Sequence, residues 1–198
     1  MSERRFSGLT RQLKTQAMIL LSLVAVLWGL ELLDWFFLNQ ALNQYGIQPR
    51  TLVGLRGIVC SPFLHGSLGH LAANTLPFIV LGWLIMLRRQ RDFWIVTLNV
   101  LLLSGVGVWM VGRSNTVHIG ASSLIFGYLG FLLLRGFFER GPISVAVSLL
   151  VGVFYGGLVW GVLPITQEES WEGHLLGLLA GIGCAWMLSK RPDAAVAP

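Results

Sequence analysis

Charge is what this sequence has least of. Only 12% of its 198 residues are Asp, Glu, Lys or Arg, about half the roughly 25% usual in a soluble domain. No stretch shifts to the composition of a separate soluble domain. Cysteine is nearly absent as well. Cys60 precedes the second apolar run and Cys184 lies deep in the last one, so two isolated thiols are expected rather than a disulfide framework. No His, Cys, Asp or Glu group has metal-ligand spacing, and neither metal nor cofactor is expected. The net charge of +5 sits in short clusters between apolar runs rather than along one face or in one tail. That distribution fits topology determinants and excludes nucleic-acid binding.

Apolar residues are what the sequence has in excess, at 55% of the chain with mean hydropathy +0.71. Long runs recur at about 17–38, 69–87, 93–111, 120–134, 142–163 and 173–189. The expected fold is an all-α polytopic membrane protein with six transmembrane helices in a compact bundle over 17–190. A basic N-terminus (1–16) and a short tail (191–198) flank it. The first run is too long for a signal peptide and lacks a small-residue cleavage site. Eleven of the fourteen Lys and Arg residues fall on the side of the N-terminus. The positive-inside rule therefore puts both termini in the cytoplasm, and six crossings return them to one side. A bacterial-type plasma membrane is the expected location. The 39–68 connection is long and too apolar to be simply solvated, so partial membrane association is expected.

Acids inside a span are costly facing lipid. Glu31 and Asp34 share a face of the first run, and they are expected to cap or pair with the following loop through Arg50 or Arg56. From Gly120 to Arg135 the fourth run rises only about 22 Å, short of a core about 30 Å thick. With Arg135 as inner anchor, Ser122 would sit below the outer surface, and the 112–119 connection would dip to meet it.

Three polar sets lie toward the outer ends of the runs. His65, His70 and Asn74 lead into the second, with His70 and Asn74 on one helical face. Ser122 opens the fourth within His118-Ile119-Gly120-Ala121-Ser122-Ser123. His174 opens the sixth, on the same stripe as Gly177 and Gly181. That small-residue seam is expected to pack closely on Gly120, Ser123, Gly127 and Gly130 of the fourth run. Such packing would bring His174 near Ser122, the minimum for a base-activated nucleophile. Glu172 projects from another side of its helix, so a Ser–His dyad is expected rather than a triad.

Together these motifs resemble the rhomboid intramembrane serine proteases over about 60–190. The resemblance rests on His65-x4-His70-x3-Asn74, Gly120-Ala121-Ser122 and His174-x2-Gly177-x3-Gly181, in that order. It implies Ser122 as nucleophile and His174 as general base and acid. It also implies an oxyanion hole of His70, Asn74 and the Ser122 backbone N–H, with Phe126 packing on the histidine. The fifth run (142–163) would be the lateral gate, and the substrates would be transmembrane segments of membrane proteins within the lipid bilayer. Ser123 stands where the family commonly has Gly and could narrow the site. The Trp-Arg pair often found in the family's first loop is absent. Two other classes are weaker. A rhomboid-like protein that only binds or escorts membrane helices would be expected to lack the serine or the histidine. A proton-coupled transporter using His70 and His174 predicts a repeat of helices, and none is present. Nothing in the sequence reports an oligomeric state.

Overall fold

The computed structural model describes residues 2–165 and 170–190, with side chains from Gly8 onward. The 191–198 tail and the acids Glu168 and Glu169 lie outside the described residues. Among the described residues seven α-helices follow one another: α1 (Ser2–Phe37), α2 (Gly57–Cys60), α3 (Leu68–Arg88), α4 (Gln90–Val111), α5 (Ser122–Glu139), α6 (Pro142–Tyr155) and α7 (Trp171–Ser189). The α1 helix begins well before the apolar run, so the basic segment and the first span are one rod. Local chemistry sets the breaks. A single extended residue, Arg89, separates α3 from α4. Arg140 takes a left-handed conformation after α5, and Gly141-Pro142 restarts the chain as α6, Pro being tolerated in a helix's first turn.

Among the described residues five stretches are long and apolar enough to cross a membrane: Gly8–Phe37, Leu68–Arg88, Gln90–Val111, Ser122–Glu139 and Pro142–Val162. The last joins α6 to a 3-10 segment, Gly156–Val162. The α7 helix is apolar but is not among them; its first turn carries Glu172 and His174. The α5 helix is the centre of the bundle and α6 its outermost member. The most apolar part of α5 is 61% buried, and that of the α6 stretch only 6%. Ile143, Val153 and Phe154 on α6 are 75–80% exposed, as a lipid-facing helix would be.

The α5 and α7 backbones meet closely. A methyl group on Gly177 would collide with the Ser123 carbonyl, one on Gly181 with the Gly127 carbonyl, and one on Gly130 with the Leu178 carbonyl. Gly120 has a different role from the one the sequence suggests. It precedes α5, has φ +114°, and its missing side chain makes room for the His70 ring rather than for α7. Ser123 is part of the α5–α7 seam, its Oγ lying where a Gly173 side chain would begin.

Two electrostatic expectations are corrected. Arg135 is not an inner-surface anchor. It is 6% exposed and paired with Asp92 at 3.1 Å and Glu139 at 3.0 Å, with Arg88 also on Glu139. Because the ion pairs meet its charge, α5 continues past it to Glu139, and the argument from a short helix loses its premise. Glu31 and Asp34 do cap the following loop, but without arginines. Asp34 Oδ1 accepts from the Leu42 N–H at 3.0 Å, and Glu31 accepts from the His65 N–H. Arg50 instead donates to the Met110 and Gly112 carbonyls and to Ser114. Arg56 donates to Gln44 and lies over the Tyr45 ring.

The 38–67 connection is helical in pieces, with 3-10 turns at Ala41–Tyr45, Val53–Arg56 and Ser61–Phe63 around α2. Neither Cys60 nor Cys184 is in a disulfide.

Candidate active site

Ser122 is the first residue of α5. The N–H groups of a helix's first turn have no intrahelical acceptor, and the helix dipole makes that end electropositive. Three of the four residues before Ser122 are held by the 38–67 connection. His118 forms an antiparallel bridge with Ile47, with N–H to O distances of 3.0 and 2.9 Å. Gly120 N–H donates to the Ser61 carbonyl at 2.8 Å. Ala121 N–H donates to His65 Nε2 at 3.4 Å. The long connection is thus a brace for the turn that presents the serine.

A cavity of about 750 Å³ opens in front of that turn. Ser122, His174, His70, Asn74 and Phe126 all line it, together with the 3-10 segment at Gly157 and Gly161. Ser122 and His174 are 8% and 6% exposed, so the cavity is set into the bundle. The Phe126 ring stacks on His174 at 4.1 Å between centroids and 5° between planes. Asn74 Nδ2 is buried and makes no hydrogen bond. An orphan donor on a cavity wall is a cost that a ligand oxygen would relieve. Pro77, one turn along α3, also lines the cavity and denies the Ala73 carbonyl its helical donor.

His70 reaches the cavity because Ser67 caps α3, its Oγ accepting from the His70 N–H at 3.1 Å. His65 packs edge-on against His70, with ring centroids 5.3 Å apart, and is itself fully buried. Since its Nε2 accepts from Ala121, its proton is on Nδ1. Burial, and then the neighbouring His70, push the His65 pKa down to about 4. The unfolded chain takes up this proton near pH 6.5 and the folded chain only near 4. Stability that is full above pH 6.5 should therefore fall by about 3 kcal/mol on acidification to pH 4 and level off below it. Thermal unfolding in detergent between pH 4 and 7 reads this slope, and His65→Asn should flatten it. Equal slopes would remove the assignment.

The start of α7 is anchored by residues to which the sequence reading gave no role. Ser170 caps the helix, accepting from the Gly173 N–H at 3.3 Å, and its Oγ lies 2.7 Å from His118 Nδ1. His118 Nε2 is 2.9 Å from Thr116 Oγ1, whose hydroxyl donates to the Arg113 carbonyl. Burial lowers the His118 pKa while Glu172 opposes it. Glu172 Oε1 accepts from both the backbone N–H and Nε of Arg113. The Ser170 cap was legible as a serine standing just before the last apolar run. The Arg113 and His118 partnerships, spanning more than fifty residues, were not.

Gly120→Ala tests the turn. The left-handed φ and the approach of a Cβ to His70 Cε1 at 2.9 Å together call for strain of about 1–3 kcal/mol and displacement of Ser122. A lower Tm in detergent is expected, with the helix content unchanged by circular dichroism; a wild-type Tm would remove the strain assigned to this turn.

These features define a class, a multi-pass helical membrane protein with a polar cavity sunk into its bundle. The family follows from comparison. Residues 52–191 match the rhomboid domain, and the chain belongs to the rhomboid family. It is 39% identical over 178 residues to an uncharacterized protein of Mycobacterium tuberculosis, covering 86% of this chain and 74% of that one. It is 26% identical over 159 residues to rhomboid-like protein 11, chloroplastic, of Arabidopsis thaliana, covering 70% and 54%. It is also 25% identical over 134 residues to the protein named putative rhomboid protease YdcA of Bacillus subtilis, covering 66% and 65%.

Proposed function

We propose that the protein is an intramembrane serine endopeptidase that cleaves transmembrane segments by a Ser122–His174 dyad. The observation that carries this reading is one cavity lined by Ser122, His174 and the unsatisfied Asn74 amide. A nucleophile, a base and a waiting hydrogen-bond donor share a single chamber.

In this mechanism His174 Nε2 takes the Ser122 proton as Oγ attacks the scissile carbonyl. Charge develops on the carbonyl oxygen, where Asn74, His70 and the Ser122 N–H stabilise it, aided by the α5 N-terminus. The imidazolium then protonates the leaving amine, and a water activated by His174 hydrolyses the acyl-enzyme. Irregular backbone at such a site is tolerated in a membrane where it is buried in protein or lines a wet cavity.

The same reading makes α7 the sixth crossing, with both termini in the cytoplasm and the cavity open to the outer side of a bacterial-type plasma membrane. The 38–67 connection would rest in the outer interface through its exposed Leu52, Val53 and Val59. The departure from the Trp-Arg pattern would then be met by these aliphatic contacts.

The test uses purified protein in proteoliposomes with a fluorophosphonate probe and a panel of single-helix substrates. Labelling of Ser122 with cleavage of a substrate within its span is the expected result. Substrate binding without labelling or cleavage would favour a helix-binding, non-enzymatic rhomboid and overturn the proposal.

A further inference from the structure

His174 has a partner that no carboxylate supplies. Its Nδ1 lies 2.8 Å from the Gly161 carbonyl oxygen. A carbonyl can only accept, so Nδ1 carries the proton and Nε2 presents its lone pair to the cavity. We propose that the Gly161 carbonyl positions His174 as a third member of the catalytic group, and that this member rides on the detachable edge of the bundle. The inference rests on the dyad reading above and deepens it.

The chemistry favours this acceptor. The last carbonyls of a helical segment have no intrahelical donor and carry the negative end of the helix dipole. Gly161 sits at the end of the Gly156–Val162 segment. When Nε2 takes the Ser122 proton, the Nδ1–H bond to Gly161 becomes charge-assisted and strengthens. Positive charge is thereby held where it develops by a backbone carbonyl. The nearest acid in sequence, Glu172, is engaged by Arg113.

The segment that carries the carbonyl is fastened unevenly. At its start, α6 is tied to α5 by Ser148, which donates to the Leu132 carbonyl at 2.6 Å and accepts from the Gly136 N–H at 2.9 Å. Ser144 donates to Glu139 nearby. At the other end, Gly156 and Gly157 have open space where side chains would be, and Trp160 is 69% exposed. The hydrogen bond to His174, the contact of Gly161 with Phe126 and the part-buried packing of Leu158 and Val159 on the core close this end onto the site. Swinging the segment outward to admit a helix would withdraw the acceptor, and the base would be oriented again only when the segment redocks. Entry and catalysis are therefore separated in time by one hydrogen bond.

An amide-to-ester replacement tests the bond without adding bulk. Substituting Val162 by its α-hydroxy analogue weakens the Gly161 carbonyl as an acceptor. The expected result is a fall in kcat of about three- to tenfold with KM little changed, the size of one net hydrogen bond. The same replacement at Leu163 removes a backbone N–H that donates to Trp160 but leaves the Gly161 carbonyl intact, and kcat should hold. Equal effects at the two positions would overturn the proposal. The second readout does not depend on activity. The 15N spectrum of labelled His174 should report the Nδ1–H tautomer in the wild type and a mixture of tautomers in the Val162 ester. A wild-type Nε2–H tautomer would overturn the positioning role even in an active protein. An Nδ1–H tautomer in a protein that neither cleaves nor labels would sink the dyad reading while leaving the His174–Gly161 bond in place.

Discussion

Ser122→Ala is expected to reduce cleavage of a helical substrate by at least about 10³-fold, and His174→Ala by a similar factor. Two groups that act as one unit are not additive. The double variant should therefore be no slower than either single one, all three leaving the residual rate that substrate binding and the oxyanion donors provide. Another hydroxyl follows in sequence, outside the lining of the chamber, and the same experiment separates it. Ser123 follows Ser122 on the helix, about 100° around the axis, with its Oγ against Gly173 in the α5–α7 seam. Ser123→Ala should keep kcat within about threefold. Loss of activity in Ser123→Ala with survival in Ser122→Ala would reverse the assignment. Single-turnover cleavage in lipid is the measurement, with circular dichroism to confirm that each variant is folded.

The segments were legible in the sequence because lipid punishes ambiguity. Runs of about twenty apolar residues leave a chain few choices: among the described residues five of the expected runs fall on stretches long and apolar enough to cross a membrane, the fifth finishing as a 3-10 segment, while the sixth falls on α7, which is not among them. The polar residues of the chamber were legible for the same reason, since His70, Asn74, Ser122 and His174 are exceptions to a strict rule. Arg135 was misread because a basic residue at the end of an apolar run has two stable placements. It can snorkel to a surface, or it can meet Asp92 from a helix 43 residues earlier, and only the tertiary structure chooses. Gly120 was misread because its spacing to Gly127 fits a helical seam, while its φ places it in a turn. The Gly161 carbonyl could not have been found at all. Every residue has a carbonyl, and which one lies unpaired beside a histidine is a property of the fold.

The second large effect concerns that fold rather than the chemistry. Gly181→Val should destabilise the protein by about 3 kcal/mol or more and abolish most cleavage, although it lies two turns from His174, about 10 Å along α7. On the proposed reading that α7 is the sixth crossing, the hydrophobic effect does not press it onto α5, so the two helices are held by close dispersion contacts and by the polar groups they share. A Cβ on Gly181 would occupy the position of the Gly127 carbonyl. The helices must then separate, and an added gap of 0.5–1 Å already forfeits roughly a quarter to a half of each contact. His174 would move with α7, away from Ser122, so activity should fall faster than stability. Gly183 supplies the control, because a side chain there meets nothing within 4 Å. Gly183→Ala gives a better helix former at no steric cost and should match or slightly exceed the wild-type Tm. Thermal unfolding of the two variants in detergent, with cleavage assayed below the lower Tm, distinguishes seam from surface. A Gly181→Val protein with wild-type Tm and activity would mean that the two backbones do not touch there, and the delivery of His174 to Ser122 would need another cause.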